Sequence, residues 1–220
     1  VMREDVVDKV LKRDLPSLYN IRNATELERI FLYLCNVSSE IVSIEAITKE
    51  LNGVSRSTVE HSIQFFETAN LIYQSWPVDM AGKKVLKARP KIYIADAAIR
   101  NAVLMDDSIM TDPTGMGKVV ETAVYKHVAA FYYQFATSVG YFRGGRKNKE
   151  IEVVVDYPKI KNILIEVKYR EGAPIADDDA IVELCEEASA AIVVTKTATD
   201  FGVHNTPSGK NLLRIPAFAF

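Results

Sequence analysis

The stretch Glu150-Ile151-Glu152-Val153-Val154-Val155-Asp156, with Asn162-Ile163-Leu164-Ile165-Glu166-Val167-Lys168 following it, decides how this chain is read. Both runs are rich in β-branched residues, which suit a pleated, packed surface, so strands are predicted over 150–157 and 162–170. A third strand, 138–143, precedes them. Alternation along the middle strand puts Ile151, Val153 and Val155 on one face and Glu150, Glu152, Val154 and Asp156 on the other. In the next strand Glu166 and Lys168 share a face that Val167 opposes. An unpaired charge is costly to bury, so two acids and a lysine on sheet faces point to a use for them. The bland alternative is an exposed pair at a sheet edge. The turn around 158–161 makes these strands a hairpin. An odd number of loop residues sets Glu152 beside Glu166 and Lys168, and an even number sets it opposite Val167. Hairpins of several loop lengths are common, so both registers stay open.

Upstream, Val120, Val124, Val128, Phe131 and Phe135 form a helical stripe between Gly115 and Phe135, with Glu121 at its border in the first turns. Downstream, three aspartates, 177–179, open a helix predicted over 177–188 and are read as caps rather than a metal cluster. Residues 190–195 read as a buried strand and 212–215 as an edge strand. Pro207-Ser208-Gly209-Lys210 resembles a phosphate loop, but His204 stands where the first glycine is required, so no nucleotide site is expected.

The first half follows another rhythm. Leu27, Ile30, Phe31, Leu34 and Cys35 recur at helical spacing, a short helix spans 44–51, and Asn52-Gly53 turns the chain into a third helix through Phe66. Strands at 71–76 and 91–94, joined by a basic loop, complete a winged-helix pattern. In such a module Arg56, Ser57, Thr58, His61 and Gln64 of the third helix would meet base edges, and Lys83, Lys84, Lys87 and Arg89 of the wing would meet phosphates. Glu60 and Glu67 oppose that field, so packing against a protein partner is the competing use. The expected organisation is a linker over 1–22, a winged-helix domain over 23–104 and a second domain over 105–220.

Composition limits the rest. With 48% hydrophobic and 25% charged residues the chain is ordinary globular material. No apolar run is long enough to span a bilayer, so a cytoplasmic location without membrane partners is expected. The net charge of −2 confines any nucleic-acid contact to local patches. Cys35 and Cys185 each lie within an apolar pattern and are read as core residues.

The order helix-Glu, strand-acid, then Glu-x-Lys resembles the PD-(D/E)xK nuclease superfamily. The whole chain is similar to the C-terminal portion of a family of prokaryotic AAA-type ATPases, in which a P-loop module precedes a winged helix and a nuclease-like domain. The residues carrying the likeness include Arg13-Asp14-Leu15, Ser55-Arg56-Ser57-Thr58-Val59, Lys91-Ile92-Tyr93-Ile94-Ala95-Asp96, Gly117-Lys118-Val119-Val120-Glu121, Ile165-Glu166-Val167-Lys168 and Ile215-Pro216. The resemblance implies an α+β or α/β chain whose second domain is a restriction-endonuclease-like three-layer fold with a mixed sheet. It implies Glu121, Glu152, Glu166 and Lys168 as the catalytic set, with the three carboxylates holding Mg²⁺ or Mn²⁺. It also implies DNA as substrate and an upstream ATPase module as partner. Where the family has Glu-Val-Asp this chain has Glu150-Ile151-Glu152, a carboxylate one methylene longer. The alternative is a non-catalytic interaction or regulatory module with a degenerate nuclease fold.

Overall fold

The computed structural model describes residues 2–21, 23–80, 85, 88–106, 108–135, 138–144, 149–156, 161–172 and 174–220. It divides the chain into two compact units: Val1–Gln74 with Arg89–Thr111, and Ser75–Ala88 with Asp112–Phe220.

In the first unit a helical segment over residues 2–19 (α1) is followed by α2 (Ala24–Asn36), β1 (Glu40–Ile41), α3 (Ile44–Glu50) and α4 (Arg56–Thr68). Strand β2 (Ile72–Pro77), whose last residues belong to the second unit, β3 (Lys91–Ile94) and α5 (Ala97–Leu104) complete it. The first backbone N–H groups of a helix lack intrahelical acceptors, and polar side chains supply them here. Asn23, Ser43, Ser55 and Asp96 accept from the N–H groups of Glu26, Ala46, Thr58 and Ala98. The apolar stripes then meet in one core around Ile30, Leu34, Ile47, Phe66 and Ile94. β1 pairs antiparallel with β3 through Glu40↔Ile92.

Two features differ from the sequence reading. Residues 1–22 are not a bare linker, because Val7, Leu11 and Leu15, at four-residue spacing, are buried in the same core. Helix α5 was not anticipated, and it buries Ile99 and Val103.

After its segment Ser75–Ala88 the second unit resumes with α6 (Pro113–Tyr132), capped by Asp112, whose two carboxylate oxygens accept the N–H groups of Thr114 and Gly115. Proline at the first helical position suits a site where no amide hydrogen is needed. Strands β4 (Ser138–Gly144), β5 (Lys149–Asp156) and β6 (Ile163–Lys168) follow, then α7 (Ala180–Leu184), β7 (Ala190–Thr195), β8 (Gly202–Asn205) and β9 (Asn211–Pro216). Within this unit they form a large mixed sheet in the order β2-β4-β5-β6-β7-β9-β8. β5 runs antiparallel to both β4 and β6, whereas β6, β7 and β9 run parallel to one another and β2 runs parallel to β4. Successive residues Val153, Val154 and Val155 are all buried, as are Leu164 and Ile165, so both faces of the central strands are covered.

Here too the structure corrects the reading. The strand expected at the edge, 212–215, is interior, because β8 pairs antiparallel along its far side. The helix expected over 177–188 begins only at Ala180 and continues past Leu184 as a tighter turn over Cys185–Glu187. Residues 75–88, expected as part of the wing, belong to the second unit: Val78 packs with Ile151 and Leu164, and its N–H donates to the Tyr141 carbonyl at 2.8 Å. The chain passes between units after Gln74, after Ala88 and after Thr111, the last of these within 105–117. Met105 there is 72% exposed, so limited thermolysin digestion is expected to cut first within 105–112, as mass mapping of the earliest fragments will show. A first cut inside β5 or β6 would contradict this division.

Candidate functional site

Strand β5 does not alternate as its sequence suggests. Gly140 of β4 pairs with Val154 and Phe142 pairs with Ile151, so the single residue Tyr141 faces two residues, Glu152 and Val153. This is a β-bulge, a device that re-aims a side chain and ends regular pairing. Its consequence is that Ile151 and Val154, expected on opposite faces, pack into one cluster with Leu164 and Ile181. Beyond the bulge Val153 pairs with Ile165 and Val155 with Ile163. An odd number of residues, 156–162, separates that last pair, which is the register that favours a shared site. Glu152 stands where the ladder ends, and its Oε2 accepts the N–H of Val167 at 3.2 Å.

Glu152, Glu166 and Lys168 line one cavity of about 440 Å³, together with Arg170 and with Pro113 and Thr114 from the start of α6. Glu166 is only 8% exposed. Its Oε1 lies 3.0 Å from the Lys168 ammonium, while its Oε2 is buried without a hydrogen-bond partner. Burial pushes the Glu166 carboxyl above the usual range; Lys168 works against that shift, Asp179 adds to it, and the Ile181 backbone N–H draws it back down. The Lys168 ammonium also lies 2.8 Å from Asp179 Oδ2, which accepts the N–H of Ala176 at 2.9 Å. Burial pulls the lysine down, but Asp179 and Glu166 together hold it above its ordinary value.

The structure thus brings three of the four expected catalytic residues to one cavity. Glu121 is not among the residues that line it. It sits seven residues beyond Thr114 on α6, about 10 Å along the axis at 1.5 Å per residue. Among the described residues no group of three or more His, Cys, Asp or Glu side chains is placed to hold a metal ion. Of the three carboxylates expected to hold a metal, Glu152 and Glu166 line this cavity.

Sequence reasoning missed Asp179, because an aspartate just before a helix is usually its cap. Asp179 makes no side-chain cap bond and faces Lys168, Asp177 accepts the N–H of Ser208, and the Asp178 carbonyl accepts from Lys149. The only available signal was the run of acids itself.

Of the residues expected to meet nucleic acid, Arg56, Ser57, Thr58 and Arg89 lie in the first unit. Arg56 is held by two carboxylates, Glu45 at 2.6 Å and Glu60 at 2.9 Å, which raise its pKa further. The hydroxyls of Ser57 and Thr58 both hydrogen bond to Ser55 Oγ. Arg89 is exposed, while Lys83, Lys84 and Lys87 lie outside the described residues.

Residues 1–109 match the family described as domain of unknown function DUF8612, and residues 116–218 match domain of unknown function DUF4143. DUF4143 is a domain found in the C-terminal region of AAA-type ATPases. No curated protein and no solved structure matches the chain. Among the described residues no helix is long and apolar enough to cross a membrane.

Proposed function

We propose that the second unit is a nuclease-like module in the C-terminal region of an AAA-type ATPase, cleaving phosphodiesters with a divalent ion held at Glu152 and Glu166. One observation carries this reading: the cavity gathers Glu152, Glu166 and Lys168 on one wall. Mg²⁺ and Mn²⁺ fit such a site, because they prefer oxygen ligands and Mg²⁺ is often held by only one or two carboxylates with several waters. When bound, the ion supplies an activated water and charge neutralisation at the phosphoryl oxygens. Glu166 and Glu152 would hold that ion. The Lys168 ammonium would stabilise negative charge on the phosphoryl group, and Arg170, which also lines the cavity, would meet a phosphate. The helix and strand order of the first unit supports a winged-helix module, with duplex DNA as the class of partner.

A second reading is favoured by Lys168, whose ammonium already neutralises Glu166 and Asp179 without a metal. In that case the site is a relic and the chain is an interaction module. Mn²⁺ titration by calorimetry separates the two, paired with a supercoiled-plasmid nicking assay. The nuclease reading expects weak Mn²⁺ binding that Glu166→Gln abolishes with the fold intact, and nicking that Lys168→Ala removes while sparing the metal. A well-folded chain that binds no Mn²⁺ leaves only the interaction module.

A further inference from the structure

Strand β8 ends the sheet of the second unit: β9 pairs along one side of it, and among the described residues no strand pairs along the other. The hydrogen-bond pattern tells which groups that open side presents. In an antiparallel ladder, residues whose N–H and C=O groups face the partner strand alternate with residues whose groups face away. The Thr206 N–H donates to the Lys210 carbonyl at 2.8 Å, so Thr206 faces β9. By alternation His204 and Gly202, opposite Leu212 and Arg214, face β9 as well. The N–H and C=O groups of Val203 and Asn205 therefore point out of the sheet, and among the described residues no backbone group meets them.

A bare edge templates the addition of another strand, and edges are commonly protected by lysine, proline or a bulge. β8 has none of these. Phe201 to Thr206 contains no lysine, arginine, aspartate, glutamate or proline, and the register with β9 runs without a shift from Gly202 to Asn205. Phe201 and Val203, which alternation sets on one face, are 68% and 69% exposed.

We propose that β8 is a self-association edge, pairing antiparallel with β8 of a second copy of this chain across a two-fold axis. The outward groups are self-complementary. With the axis at His204, Val203 of each copy lies opposite Asn205 of the other, and each of these pairs exchanges N–H and C=O groups in both directions. A strand of one charge sign would repel its own copy in this arrangement, whereas β8 carries no charged side chain of that kind. Pro207, which has no N–H to donate, ends the pairing. The inference is independent of the chemistry of the cavity.

Sedimentation equilibrium of the chain over about a hundredfold range of concentration reads the association. The parent is expected to rise from monomer mass toward dimer mass. Val203→Pro removes the outward N–H without touching a bond to β9, and it should weaken association by about tenfold or more, because each copy loses a hydrogen bond across the axis. Val203→Lys leaves the backbone intact and should weaken it similarly by placing charge on the edge, so it serves if proline unfolds the hairpin. The register is read by cysteine trapping in a Cys185→Ser background, Cys35 being buried. His204→Cys should form a covalent dimer on oxidation, since residues opposite each other at a non-hydrogen-bonded position have Cα atoms about 4.5 Å apart, within disulfide reach. Asn205→Cys, which faces Val203 of the other copy, should form little. A parent that stays monomeric throughout overturns the proposal and leaves the edge to an extended segment of another protein. A dimer that both Val203 variants leave intact, or that His204→Cys does not trap, overturns it as well.

Discussion

Lys168→Met is expected to destabilise the second unit by about 3 kcal/mol at neutral pH, the lower end of the range for removing one partner of a buried ion pair. The Lys168 ammonium sits between Glu166 at 3.0 Å and Asp179 at 2.8 Å, and the side chains of Lys168 and Glu166 are only 12% and 10% exposed. Methionine keeps the length of the stem, so the loss reports the charge rather than a cavity. Glu166 then remains buried beside Asp179 without the ammonium, and it holds its proton more tightly in the folded state than in the unfolded chain. Glu166 already lies above its ordinary value because of burial. Groups with raised folded-state pKa values lend stability below the unfolded carboxylate range and lose it as pH rises through the folded-state values. The penalty of Lys168→Met should therefore be largest near pH 8 and shrink toward pH 4. Adding Asp179→Asn should recover part of it at neutral pH. Urea unfolding followed by circular dichroism at both pH values checks this. A loss of equal size at pH 8 and pH 4 would attribute it to packing of the lysine stem and not to the carboxylates.

That pair also shows what the sequence made legible. Where hydrophobic period and cap chemistry agree, the elements lie near their expected bounds: α2 begins at an Asn23 cap, α4 at Ser55, and β5 to β7 are runs of branched apolar residues. The order acid, then Glu-x-Lys, named Glu152, Glu166 and Lys168, and the structure brings those three to one cavity. What the sequence hid is non-local. The bulge at Glu152 and Val153 depends on the pairing of β5 with β4, while the run Ile151 to Val155 itself reads as unbroken alternation. The partnership of Lys168 with Asp179 spans the connection to α7 and leaves no periodic trace. β8 is four residues long and led by a glycine at φ 131°, so neither propensity nor alternation marks it, and its neighbour β9 was taken for an edge. Glu121 was placed by motif order alone. Order along a chain does not fix distance along a helix.

Gly140→Ala is expected to cost about 2–3 kcal/mol, toward the upper end of overpacking penalties, although it adds only one methyl group. Gly140 is where β2 joins the sheet, pairing in parallel with Trp76 while Tyr141 pairs with Pro77. A Cβ at this position would lie 2.2 Å from the Trp76 carbonyl oxygen and 3.0 Å from Val78 Cγ1. The carbonyl belongs to the backbone and cannot rotate aside as a side-chain tip can, so β2 must shift away from β4. The Val78 N–H bond to Tyr141, at 2.8 Å, and the packing of Val78 against Ile151 and Leu164 would be strained with it. Hydrogen exchange at the Val78 amide should accelerate more than exchange within β6 or β7, which lie deeper in the sheet. Gly117→Ala is the matched control: it lies inside α6, a Cβ there meets nothing within 4 Å, and alanine is the better helix former by about 0.5–1 kcal/mol. Urea unfolding should thus move in opposite directions for the two glycines. Equal, small effects would mean that the close approach of β2 to Gly140 is not kept in solution.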